Sequence, residues 1–174
     1  MASSGKTGTV FDNLEQLGSG SGFLGEIADM LERADILRDF SRQEVEVLAG
    51  SFVAYEARPG AIVLKEGDKE RYMFVLAEGK VDIVKRSDDS ENRKLATVRA
   101  GKTVGEMSVI DGLPHSATAV AAEPCTLLLI TKRNFEWVTA HNPEVGLKLL
   151  NKIAMLMSLR LRQTSGVLID YLDA

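Results

Sequence analysis

Between Glu26 and Phe40 the apolar residues Ile27, Met30, Leu31, Ala34 and Leu37 recur at three- and four-residue steps. That period predicts a helix with one buried face. Ser41 and Glu44 then carry the pairing of a capping box, which predicts the start of a second, short helix. Past Gly50 the period falls to two. Ser51–Ala57, Ala61–Leu64, Tyr72–Ala77, Lys80–Lys85, Lys94–Val98, Thr118–Ala121 and Thr126–Thr131 are short β-rich runs. Between them lie Pro59-Gly60, Gly67-Asp68, Glu78-Gly79, the polar stretch SDDSEN, Ala100-Gly101 and Glu123-Pro124. Short strands at roughly ten-residue spacing, with a turn signal in each gap, predict an antiparallel sandwich or jelly roll.

From Thr131 the period lengthens again, through Phe135, Trp137 and Val138, and Asn142-Pro143 then opens a long helix. Asn as cap with Pro at the first helical position is a strong start signal. Along this helix Leu150, Ala154, Met157, Leu161, Thr164, Leu168 and Tyr171 alternate steps of four and three, flanked by a second row, Leu149, Ile153 and Leu156. The heptad row predicts a two-stranded seam with a second copy, through Leu150, Ala154, Met157, Leu161 and Leu168, while the flanking row packs on the β segment. The competing reading is one wide stripe buried within the same chain. Gly166 costs about 1 kcal/mol inside a helix, so the last turns are expected to bend or fray. The fold class expected is α+β: an antiparallel β-roll flanked by N-terminal helices and a long C-terminal helix. The chain divides into a Gly/Ser-rich flexible arm over residues 1–25, a β-roll with flanking helices over 26–142, and the dimerisation helix and tail over 143–174.

Composition narrows what such a fold does. The formal net charge of −4 argues against a chain whose task is to coat nucleic acid or an anionic membrane. One cysteine, Cys125, excludes an intramolecular disulfide. Two histidines and that cysteine leave no ligand set for structural zinc. No apolar run suggests a signal peptide or a membrane span, and a cytoplasmic location is the expectation. Gly20-Ser-Gly22-Phe-Leu-Gly25 matches a dinucleotide fingerprint, but no strand precedes it; Ser4-Gly5-Lys6-Thr7 lacks the leading glycine of a phosphate loop. No residue set suggests an enzyme, and no cofactor is expected. His115, taken alone, reads as an ordinary polar residue on a strand, and Ser116 beside it makes no triad.

Two stretches carry the functional content: PGAIVLKEGDKERYMFVLAEGKVDIV, Pro59 to Val84, and VGEMSVIDGLPHSATAVA, Val104 to Ala121. With helices before them and a long helix after, over about Glu26 to Arg162, the chain resembles the cyclic-nucleotide-binding domain of the catabolite-activator and protein-kinase-A regulatory families. The resemblance implies a phosphate-binding cassette. In it, Glu106 accepts from the ribose 2′-hydroxyl and Gly105 lets the backbone approach the sugar. Met107 and Ser108 start a short helix facing the cyclic phosphate, and Ser116 and Ala117 donate to that phosphate. The family's base contacts lie on the long helix, where Arg160 and Thr164 are the candidates. The position of the family's phosphate-neutralising arginine holds His115. A guanidinium is permanently charged and two-pronged, whereas a neutral imidazole gives one donor.

Two functions therefore stand side by side. One is a sensor of a cyclic nucleotide, cAMP or cGMP, or a related anionic ligand, which passes its state to a partner protein. The other is a degenerate domain acting as a ligand-independent dimeric docking module. Only a dozen residues follow Arg162, so direct DNA binding through a helix-turn-helix is not expected.

Overall fold

Strand β4, Tyr72–Glu78, is buried along five consecutive residues, and the reason is that both of its faces are covered. Tyr72, Phe74 and Leu76 point into one apolar cluster and Met73 and Val75 into another, as the two-residue period of a strand requires. The structure is a computed structural model that describes residue 10, residues 14–86 and residues 92–172, with residues 92 and 166–172 as backbone alone. In it β4 is central to a five-stranded antiparallel sheet. The order there is β1 (Glu15–Ser19), β2 (Val53–Ala57), β9 (Cys125–Thr131), β4, β7 (Thr103–Val104). The second sheet is also antiparallel, in the order β3 (Ile62–Leu64), β8 (Thr118–Ala121), β5 (Lys80–Arg86), β6 (Asn92–Arg99). The roll encloses Val63, Leu64, Phe74, Val81, Ala119 and Leu127 between its sheets.

The outer face of the five-stranded sheet carries the helices. Met73, Val75, Leu128 and Ile130 pack there against Ile27 and Leu31 of α1 (Leu24–Leu31) and Val45 and Leu48 of α2 (Arg42–Ala49). Val138 of α4 (Lys132–His141) and Leu149 and Ile153 of α5 (Pro143–Leu172) complete this layer. The capping box at α2 forms: the Ser41 hydroxyl accepts from Glu44 N–H at 3.3 Å, and the Glu44 carboxylate accepts from Ser41 N–H at 2.7 Å. At Gly146 an added Cβ would lie 2.6 Å from Thr139 Cα, so the absent side chain is what lets α5 fold back on α4. The first half of α5 is tied down further by Lys148, which donates to both Glu44 oxygens at 2.8 and 2.9 Å, and by Lys152 on Asp39.

The structure departs from the sequence reading in three places. Glu15–Ser19, inside the segment read as an arm, pairs with β2 as an edge strand, from Glu15↔Glu56 to Ser19↔Val53. The Gly/Ser cluster is the turn that follows it, with Gly18 against the Phe23 ring. The first helical run breaks after Leu31: Ala34 is extended, and Asp35–Leu37 forms a 3₁₀ turn instead. Its apolar positions are buried all the same, which is why the periodicity looked continuous. His115 lies in the loop before β8, not on a strand. The expectation for residues 1–9 and 11–13 falls outside the described residues.

Candidate functional site

The end of β7 meets β4 so closely that the chain needs a glycine there. Gly105 has φ +88°, and an added Cβ would stand 2.8 Å from Tyr72 O and 2.9 Å from Leu64 Cδ1. Left-handed backbone without a side chain turns the strand directly into α3, Glu106–Asp111. The first residue of α3 is thereby buried. The Ser108 hydroxyl locks the turn by donating to Gly105 O at 3.0 Å and Tyr72 O at 3.2 Å. From the other end, Lys132 Nζ donates to Val109 O at 2.8 Å and Arg71 Nε to Gly112 O at 2.6 Å. Cations on those terminal carbonyls complement the end of the helix.

Between this turn, β5, β6, the loop before β8 and α5 is a cavity of about 550 Å³. Its wall is mixed. Leu64, Ile83, Val98, Val104, Leu156 and Leu159 give apolar surface, while Thr103, Glu106, His115, Ser116, Arg160 and Gln163 give polar groups. Gly105, Met107, Ser108 and Ala117 also line it, so eight of the residues singled out from the sequence meet at one cavity. Thr164 does not. It is exposed, its hydroxyl donates to Arg160 O at 2.9 Å, and Gln163 takes the inward position. Helical geometry explains the exchange: Gln163 lies seven residues after Leu156 and thus on its face, whereas Thr164 is rotated by about 100°.

Glu106 is the buried charge of the cavity, with its side chain 3% exposed. Arg160, 45% exposed, closes an ion pair on its Oε1, and its second amino group donates to Thr103 O at 2.8 Å. Among the described residues the other carboxylate oxygen, Oε2, is buried without a partner, as are Thr103 Oγ1 and His115 Nε2. Buried polar atoms are nearly always satisfied, because leaving one unmet costs about 1–3 kcal/mol. All three of these residues border the same cavity. Three such residues around one space mark a place suited to a polar guest.

His115 is 4% exposed and rests edge-on against Tyr72, ring centroids 4.8 Å apart. Its backbone is held in the β3–β4 turn: Gly67 N–H donates to His115 O at 2.9 Å, and His115 N–H to Asp68 O at 3.4 Å. Burial pushes the imidazole below the ordinary histidine pKa; Asp68 opposes that and Arg71 adds to it. The side chain is therefore neutral at pH 7. Sequence reasoning missed Thr103, Arg71 and Gln163, and also Lys85, whose Nζ donates to Ser116 O at 2.8 Å and pairs with Glu66 at 3.5 Å.

Of the residues read as a dimer seam, Ala154 and Leu161 are exposed, Leu161 at 68%. Leu150 and Met157 are half-buried against the helix-layer core, and the side chain of Leu168 lies outside the described residues. The flanking row behaves as read, with Leu149 and Ile153 buried. Leu147, Met155 and Leu159 add further exposed apolar surface to α5. Among the described residues no helix is long and apolar enough to cross a membrane, and no His/Cys/Asp/Glu group is placed to hold a metal ion.

A family model described as cyclic nucleotide-binding domain matches residues 55–142, half of the chain. The crystal structure of a cyclic nucleotide-binding domain from Methylobacillus flagellatus kt superposes with a TM-score of 0.81 at 28% identity, over 95% of this chain and 93% of that one. The Cyclic AMP receptor protein of Thermus thermophilus is 26% identical over 76% of this chain. The cGMP-dependent protein kinase egl-4 of Caenorhabditis elegans is 25% identical over 65% of it. This chain spans 60% of the former's length and 14% of the latter's. The match begins in β2 and runs through the whole cassette, Gly105 to Ala117, to the end of α4. The chain belongs to the cyclic nucleotide-binding domain family.

Proposed function

We propose that this protein is a non-enzymatic sensor that holds a cyclic nucleotide in the α3–α5 cavity and reports its presence through α5, as a homodimer, to a partner protein. The observation that carries the reading is that Glu106, Thr103 and His115, each with a buried polar side-chain atom unpartnered among the described residues, border one cavity. A ribose hydroxyl donates to Glu106. A cyclic phosphate lies toward His115, Ser116 and Ala117, and the base lies between the apolar walls of β6 and α5, beside Gln163 and Arg160. Arg160 belongs to α5 and grips Glu106, so a ligand that takes up Glu106 competes with the hold on the distal half of that helix. This is the differential contact that ligand-driven switching requires.

Titration calorimetry with cyclic AMP and cyclic GMP tests the reading: saturable heat with one site per chain is expected. A second reading, a ligand-independent dimeric docking module, is favoured by one observation. Arg160 already occupies one oxygen of Glu106. Absence of heat with either nucleotide, alongside a dimer in sedimentation, would select it.

A further inference from the structure

We infer that His115 binds the ligand's anionic group as an imidazolium, so that this cavity takes an anion and a proton together. The inference rests on the proposed cyclic-nucleotide site and adds its regulation.

The geometry comes first. His115 is buried, its Nε2 is unpartnered, and it borders the cavity beside Ser116 and Ala117. The ring cannot turn away freely: Tyr72 covers its edge, and its backbone is pinned to Gly67 and Asp68. Among the described residues, most charged groups near it and along the cavity are otherwise engaged: Lys102 pairs with Asp35, while Arg99 of β6, which also lines the cavity, is exposed. Arg71, entering β4, spends its Nε on Gly112 O and one amino group on Asp68 O. Lys85 of β5 is bound to Ser116 O and Glu66. Across the cavity Arg160 of α5 is bound to Glu106 of α3. Asp68, in the turn before β4, favours the charged ring. A phosphate monoanion placed at Nε2 is met there by the cation this imidazole becomes on protonation. Buried charges persist only when paired.

The sign follows from linkage. The free ring, its pKa lowered by burial, is neutral at pH 7; an anion against Nε2 favours the protonated form. Binding therefore takes up about one proton, and affinity rises by about tenfold per pH unit as pH falls from about 8 toward 6.5. The occupied site reports ligand and acidity jointly.

Calorimetry with cyclic AMP and cyclic GMP on wild type, His115→Arg and His115→Gln tests this, at pH 6 and pH 8 and in two buffers of different ionisation enthalpy. Circular dichroism at both pH values confirms that each variant is folded. Expected are a buffer-dependent heat equal to about one proton in wild type and none in either variant. His115→Arg should bind tighter at pH 8 by roughly ten- to a hundred-and-fifty-fold and show no pH dependence, because guanidinium does not titrate. Wild type that binds equally at both pH values overturns the inference and assigns the anion to backbone donors. A pH slope that survives in His115→Gln overturns it too, since another group then titrates. Binding by His115→Arg alone overturns it while sparing the cavity. No binding by either protein at either pH overturns the cyclic-nucleotide reading itself.

Discussion

Arg160 and Glu106 lie 54 residues apart in the chain and form an ion pair that joins the long helix α5 to the first turn of α3. One partner is almost wholly buried and the other is half in solvent, so the pair is unequal. The carboxylate depends on the guanidinium for compensation more than the reverse. The other oxygen of that carboxylate is buried without a partner among the described residues, and Glu106 lines the cavity. Glu106 is thus the point where a ligand and the helix meet on one carboxylate.

Replacing Glu106 by Ala should weaken nucleotide binding and leave the fold intact. A ribose hydroxyl that enters the cavity without its acceptor loses water and gains nothing, which costs about 1–3 kcal/mol, or roughly five- to a hundred-and-fifty-fold in affinity. Calorimetry reads this directly. Equal binding by wild type and Glu106→Ala would place the ligand elsewhere.

Arg160→Met should be more harmful to stability than Glu106→Gln, because it leaves the buried carboxylate uncompensated whereas the reverse leaves a half-exposed cation that water can solvate. Breaking a fully buried pair costs about 3–5 kcal/mol, and the exposure of Arg160 brings the expectation to about 1–3 kcal/mol, or a melting point lower by roughly 2–12 °C. The double variant should recover most of the loss. A thermal-melt cycle in which the two changes simply add would show that the pair contributes no coupling.

Which parts of this site the sequence exposes depends on how local their causes are. The Ser41–Glu44 box and the strand periods are set by neighbours a few residues away and read directly from the chain, whereas Gly105 and Glu106 are singled out by the resemblance. β1 escapes because an edge strand bearing Gly18 needs only one partner and little apolar content. Thr103 and Arg71 escape for another reason: their roles arise from segments brought together by the roll, with Arg71 reaching Gly112 across 41 residues. The choice of Gln163 over Thr164 was in principle available, since counting seven from Leu156 selects it. It needed the knowledge that Leu156 faces the cavity.

The dimer seam is tested by lysine at the two exposed positions of the heptad row, Ala154 and Leu161. Both side chains stand clear of the core, so Ala154→Lys with Leu161→Lys should leave the monomer's melting behaviour near that of wild type. Charges cannot be buried in a helix seam, and the pair should convert a dimer to monomers in sedimentation at tens of micromolar. A monomeric wild type at that concentration would remove the seam and leave the exposed leucines and Met155 of α5 for another partner.

Finally, the ligand-free protein should lose stability in two separate pH windows. The His115 imidazole is held below its ordinary pKa in the folded state, mainly by burial, so the unfolded chain binds that proton first as pH falls. Its contribution is fully present above about pH 6.5, the unfolded value, and is lost as pH falls through the lower folded value. Asp35, Asp39, Glu44 and Asp82 are carboxylates held below their ordinary values by lysine contacts, from Lys102, Lys152, Lys148 and Lys94 respectively. Their contributions are present above about pH 4.5 and disappear only below it. All four are largely solvated surface pairs, so each is a small effect. Chemical denaturation of wild type and His115→Gln from pH 8 to pH 4 separates the windows: the upper decline should vanish in the variant and the lower one remain. An upper decline that persists in His115→Gln would mean that the buried imidazole does not supply it.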